Sequence, residues 1–79
     1  MKTIDEMECR KAFGSFIKEG REKMGLSQRD LAKEIGVSQG KIGQIEIGIR
    51  PVELSFALRL CEYLKLDMKK FVRMYMSLL

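Results

Sequence analysis

Three residues, Gly36, Val37 and Ser38, separate two short segments whose apolar residues recur at helical spacing, and this link constrains the fold more than any other feature. On its N-terminal side, Leu31, Ala32 and Ile35 form a narrow apolar stripe behind Ser27, a good N-cap. On its C-terminal side, Ser38 precedes Ile42 and Ile45, and Gly48 ends the run. Helices over Gln28–Ile35 and about Gln39–Ile47 follow, joined so tightly that the chain must turn sharply between them. Gly36 supplies a backbone conformation there that a side chain would resist. Ala32 has to be small because the second helix of the pair crosses over it.

Such a pair is a helix-turn-helix pattern. The remainder of the chain is also helical, because proline occurs only at Pro51, β-branched alternation is absent, and apolar residues recur at three and four almost everywhere. Five helices fit, giving an all-α, compact domain over residues 1–79 in which helices 2 and 3 form the motif at about 27–48. Thr3 with Glu6 has the form of a capping box, so helix 1 is expected from near Ile4 to about Met24, with Phe13, Ile17, Arg21 and Met24 inward. Gly25 stops it. Helix 4 is expected from about Leu54 to Leu64, burying Leu54, Leu58, Cys61 and Leu64 with Leu60 close by. Asp67 caps a fifth helix from Met68 to the end, about 68–79.

A chain of 79 residues has room for one modest core. No long uncharged apolar run could span a membrane, and Asp5, Glu6 and Glu8 close behind Lys2 are unlike a secretory signal, so a soluble cytoplasmic protein without a membrane partner is expected. Cys9 and Cys61 are isolated, and the chain has no histidine, so no zinc pattern can be assembled and no metal is expected. The missing histidine also removes the commonest general base and every Ser-His or Cys-His pair. No glycine-rich phosphate loop follows a strand. These absences argue against an enzyme, catalytic residues or a cofactor. The formal charge of +4 suits a polyanionic partner without requiring one.

The segment GLSQRDLAKEIGVSQGKIGQIEIGIRP, with the Gly14, Ile17, Arg21 and Gly25 spacing before it and LSFALRLCEYLKLDMKKF after it, resembles the helix-turn-helix regulators of the lambdoid phage repressor and Cro type, also called Xre-like. The resemblance covers roughly residues 13–71. In that family the second helix of the pair lies in the major groove, and dimers read pseudo-palindromic operators. It implies a sequence-specific regulator of transcription, a repressor that binds double-stranded DNA as a homodimer, with no small-molecule ligand domain attached. It further implies that Gln28 bonds a DNA phosphate and that Gln39 and Gln44 reach base edges, where an amide can both donate to and accept from adenine. Lys41 and Arg50 are implied on phosphates, positioning the protein without specifying sequence. Arg29 is a further phosphate candidate, although for it and for Lys33 a solvated face serves equally well.

A wheel at 100° per residue places Gly40, Gly43, Gln44 and Ile47 on the outward arc of helix 3 when Ile42 and Ile45 point inward, with Lys41 at the flank and Gln39 at the first turn. Gly40 and Gly43 thus face the groove, at about 1 kcal/mol each in helix stability, and join Gln39 and Gln44 as candidate base contacts because a bare backbone can approach closely. Ile47 either meets a thymine methyl or is an exposed hydrophobe. Two glycines leave few base-reading groups, which favours a second reading: a protein-interaction module of the same fold, antitoxin-like or a bridging factor. Arg21 and Glu46 both point inward, and two opposite charges aimed at one core should form a structural salt bridge.

In the last helix Lys69, Lys70, Arg73 and Ser77 occupy roughly 100° of arc, leaving far more apolar surface than the stripe of about 100° that a core requires. Met68, Val72 and Leu79 are expected to face the chain's own core, and Phe71, Met74, Tyr75 and Leu78 to meet a second copy. In some members of the resembled family the corresponding helix mediates dimerisation.

Overall fold

Five helices, α1 (Glu6–Lys23), α2 (Gln28–Ile35), α3 (Gln39–Glu46), α4 (Leu54–Leu64) and α5 (Met68–Ser77), build the fold in the computed structural model, which describes residues 3–79. Met1 and Lys2, counted in the domain on sequence grounds, lie outside the described residues. Among the described residues there is no strand, and no helix is long and apolar enough to cross a membrane.

The caps explain where the helices begin. α1 starts later than the Thr3 reading: Asp5 is the N-cap, and its Oδ1 accepts from the Glu8 N–H at 3.0 Å while Thr3 stays exposed outside the helix. A carboxylate at this position satisfies an orphan amide and also opposes the positive end of the helix dipole, which a threonine hydroxyl cannot do. At α2 the Ser27 Oγ accepts from the Asp30 N–H at 3.0 Å and the Asp30 carboxylate accepts from the Ser27 N–H at 3.1 Å. This reciprocal box satisfies two amides at once, and the backbone hydrogen bond from Ser27 holds the Asp30 carboxyl below its ordinary pKa. Gly36 then takes φ +83°, in the left-handed region, so the chain can turn within three residues and let Ser38 cap α3 through the Lys41 N–H at 3.1 Å.

α1 packs against α3, α4 and α5. Its crossing with α3 depends on Gly14, where a Cβ would lie 2.3 Å from the Ile45 carbonyl oxygen and 2.5 Å from that of Glu46. Ile17, Leu31, Ile42, Ile45 and Leu60 are fully buried at the centre. Met24, expected inward, is exposed: as the C-cap it follows the last turn of α1 at the point where the chain departs from the helix.

Two faces differ from their sequence readings. α4 buries Phe56, Ala57, Leu60, Cys61 and Leu64, while Leu54 is 72% exposed and Leu58 lies outside with it. The expected stripe through positions 54, 58, 61 and 64 and the observed one through 57, 60, 61 and 64 share Cys61 and Leu64, and both have helical spacing. The second also takes Phe56 out of water, a side chain carrying about 150–250 Å². In α5, Phe71 and Tyr75, expected at a surface between copies, are buried in the chain's own core, and Val72, expected inside, is exposed. Phe71 meets Phe13 edge-on at 5.4 Å between ring centres and lies 5.2 Å from Phe16. Tyr75 stacks on Phe71 at 6.1 Å, and its hydroxyl donates to the Asp5 carbonyl at 3.4 Å, tying α5 to the cap of α1. Rings of this size gain more from burial than valine does, so α5 rotates to admit them. Met68 and Leu79 still pack at the edge of the core, whereas Met74, Met76 and Leu78 are exposed.

Candidate nucleic-acid interface

α3 divides cleanly by position. Ile42, Ile45 and Glu46 are buried, and Gln39, Gly40, Gln44 and Ile47 are exposed. The two internal glycines occupy different surroundings. A Cβ at Gly40 would meet nothing nearer than the Ser38 Oγ at 4.0 Å, whereas one at Gly43 would sit 3.4 Å from the Gln28 Oε1. Gly40 is therefore open to a large partner, and Gly43 is half-buried beneath the Gln28 side chain. Of the two glycines expected to face the groove, Gly43 is the less open, because the first residue of α2 reaches across to it.

Gln28 is drawn there by Glu46. The Gln28 Nε2 donates to Glu46 Oε1 at 3.0 Å, and the same carboxylate accepts from Arg21 Nη2 at 3.0 Å and, through Oε2, from Arg21 Nε at 2.6 Å. The Arg21 Nη1 donates to the Leu26 carbonyl at 2.6 Å. This fork-on-carboxylate arrangement is the geometry that makes arginine suited to buried pairs, and the hydrogen bond that Arg21 donates to Glu46 raises the Arg21 pKa above its ordinary value. Among the described residues no buried side-chain nitrogen or oxygen lacks a partner. An amide nitrogen carries two hydrogens, so Gln28 keeps one for another acceptor.

Beside α3 runs a groove of about 720 Å³, lined by Lys41, Gln44 and Arg50 on one side and by Ser55, Phe56 and Arg59 of α4 on the other. Arg50 Nη1 donates to Gln44 Oε1 at 2.8 Å. Lys41 Nζ sits 4.1 Å from the centre of the Phe56 ring. Arg59, which sequence reasoning passed over, joins Lys41 at that ring and donates through Nη2 to the Ile35 carbonyl at 3.0 Å, at the end of α2. Its only trace in the sequence is a phenylalanine and an arginine three apart, on one face of a helix. Arg29 is exposed in the first turn of α2. The described residues contain no group of three acidic or cysteine side chains suited to holding a metal ion.

A tight pair of helices, the second showing an exposed polar face bordered by cations, is a helix-turn-helix arrangement. The helix-turn-helix family profile matches residues 17–71, and the chain belongs to this Xre/Cro-like family of transcriptional regulators, which are not enzymes. Among solved structures the chain is similar to the restriction-modification controller protein C.AhdI from Aeromonas hydrophila, at 32% identity over 78% of this chain and 94% of that one, with a TM-score of 0.71. It is also similar to the clp gene regulator ClgR from Corynebacterium glutamicum, at 25% identity over 81% of this chain and 68% of that one, with a TM-score of 0.75. No curated protein sequence matches the chain.

Proposed function

We propose that this regulator is a repressor that works in the cytoplasm as a homodimer, each copy placing α3 in the major groove at one half of a pseudo-palindromic operator. The observation that carries the reading is the division of α3, with Gln39, Gly40 and Gln44 exposed beside Lys41 and Arg50. Gln39 and Gln44 read base edges through their amides, the open backbone at Gly40 and, less directly, Gly43 lets the helix approach closely, and Gln28, Arg29, Lys41 and Arg50 hold phosphates. The Gln44 amide is pre-oriented by its bond to Arg50. That one neighbour is described as a restriction-modification controller and the other as a gene regulator supports a role at promoters.

With Phe71 and Tyr75 taken up by the core, the apolar surface left for a second copy is a groove where Ile4, Leu54 and Val72 come together. Leu58 and Met76 extend it one turn along α4 and α5, whereas Met74 and Leu78 flank the other side of α5. A two-fold dimer would set its half-sites about 34–36 Å apart, one turn of DNA.

The test is binding to an inverted repeat upstream of the chain's own gene. Binding that survives excess competitor DNA and weakens steeply with salt supports the reading. Weak, sequence-independent association would instead favour the protein-interaction module, which the sparse base-reading groups of α3 otherwise recommend. Sedimentation of Leu54→Glu and Met74→Glu separates the two candidate dimer faces: the first should give monomers and the second should not.

A further inference from the structure

We infer that Arg59 is a further phosphate ligand, completing with Lys41 and Arg50 a three-cation clamp that holds the DNA backbone along the groove between α3 and α4. The inference rests on the DNA-binding reading above. The three cations line one groove, and Glu53 is the sole carboxylate lining it with them. Among the described residues none of the three lies within salt-bridge distance of a carboxylate. Lys41 Nζ is 4.1 Å and the Arg59 guanidinium carbon 5.7 Å from the centre of the same Phe56 ring. The two charges therefore lie within about 10 Å of each other, inside the range over which exposed charges act at ordinary ionic strength, and they repel until an anion joins them.

The ring explains how they are held. Phe56 is buried, and an aromatic face attracts both an ammonium and a guanidinium, so it acts as a fixed platform for two flexible side chains. Arg59 spends one of its five N–H groups on the Ile35 carbonyl, which fixes its direction, and the others remain for a phosphate. The groove is continuous with the α3 face through Gln44, which lines it, so a duplex seated on α3 passes beside these cations. Phosphodiester backbone is the polyanion this geometry favours. Phe56 is accordingly a positioning residue and Arg59 a binding residue.

The experiment measures binding of the full chain to a mixed-sequence duplex of about thirty base pairs across a salt series, with thermal unfolding recorded for each variant. Each phosphate contact contributes about 0.9 to the slope of log affinity against log salt. Arg59→Gln should therefore lower the slope by close to that amount and weaken binding about eightfold at 0.1 M salt on any sequence, whereas Arg59→Lys should keep most of the slope. Lys69→Gln, on α5 and outside the groove, removes the same charge and should leave the slope unchanged. Should Arg59→Gln fail to fold for want of its bond to Ile35, Ser55→Glu adds a carboxylate to the same groove at an exposed position and should weaken binding at least as much. A wild-type slope in folded Arg59→Gln, or wild-type affinity in Ser55→Glu, overturns the assignment of Arg59. Absence of salt-dependent binding by the wild-type chain would instead overturn the DNA-binding reading itself.

Discussion

Glu46→Gln changes almost no volume, yet it should be among the most damaging single substitutions in the chain. The carboxylate accepts three hydrogen bonds, two from Arg21 and one from Gln28, at 2.6, 3.0 and 3.0 Å. A glutamine amide has one oxygen. If that oxygen replaces Oε1 it keeps Arg21 Nη2 and Gln28, but the new NH₂ then confronts Arg21 Nε donor to donor. In the other orientation it confronts two donors. Either way the Arg21 charge stays in the core with only the Leu26 carbonyl and a neutral amide for company. Breaking a buried pair from one side costs about 3–5 kcal/mol, and the contacts that survive place this case near the lower end.

About 3 kcal/mol is a large share of the roughly 4–12 kcal/mol that a chain of this size possesses. It should lower the Tm by roughly 12–24 °C. Thermal and urea unfolding followed by circular dichroism would measure it, with Glu34→Gln as an exposed control expected to move stability by no more than about 0.5 kcal/mol. A shift below about 4 °C in Glu46→Gln, with an unchanged urea dependence, would refute the reasoning. On the Arg21 side the pair is insensitive to pH: the hydrogen bond to Glu46 raises an already high pKa further, so its contribution is fully present below the unfolded value and is lost only as pH rises through the folded one.

Gly14→Ala should destabilise by at least about 2 kcal/mol, because its Cβ would run into two backbone carbonyls of α3 that cannot swing aside. Gly40→Ala, with open space around it, should instead stabilise by about 0.5–1 kcal/mol while weakening operator binding; unchanged affinity would show that the bare backbone is not needed for approach. Cys61 is buried and burial pushes its thiol pKa up, whereas Cys9 is half-buried, so an aromatic disulfide reagent should show one fast and one slow thiol. Cys9→Ser should abolish the fast phase; its persistence would contradict the burial pattern. The folded pKa of Asp30 is lowered, so its box with Ser27 contributes above the unfolded value near 3.8 and that contribution is lost as pH falls through the folded one. The stability gap between wild type and Asp30→Asn should accordingly be constant near neutrality and shrink below about pH 4.

The helix-turn-helix was legible because its boundaries are written locally. Ser27, Ser38 and Gly36 each act on a neighbouring amide or a single backbone angle, and α2 and α3 begin where these residues place them. The faces of α4 and α5 were legible only in part, since both helices carry apolar residues on more than one side and periodicity cannot choose between stripes that share Cys61 and Leu64. The choice is made by partners distant in sequence, such as Phe13 and Phe16 for Phe71. The start of α1 was misread because Thr3 and Asp5 both offer a cap, and the stronger acceptor prevails. Around the candidate site, the Gln28 bond to Glu46 and the approach of Lys41 to Phe56 and Arg59 join separate helices, and their one local trace is the three-residue spacing of Phe56 and Arg59.

In the proposed function α3 reads sequence in the major groove. Selection from a pool of random duplexes by the wild-type chain, compared with a chain carrying Gln39→Ala and Gln44→Ala, tests it most directly. The wild type should enrich an inverted repeat with half-sites about one helical turn apart, and the double variant should lose this preference while retaining salt-dependent binding to any duplex. Enrichment of the same repeat by both chains, or of no sequence by the wild type, would contradict it.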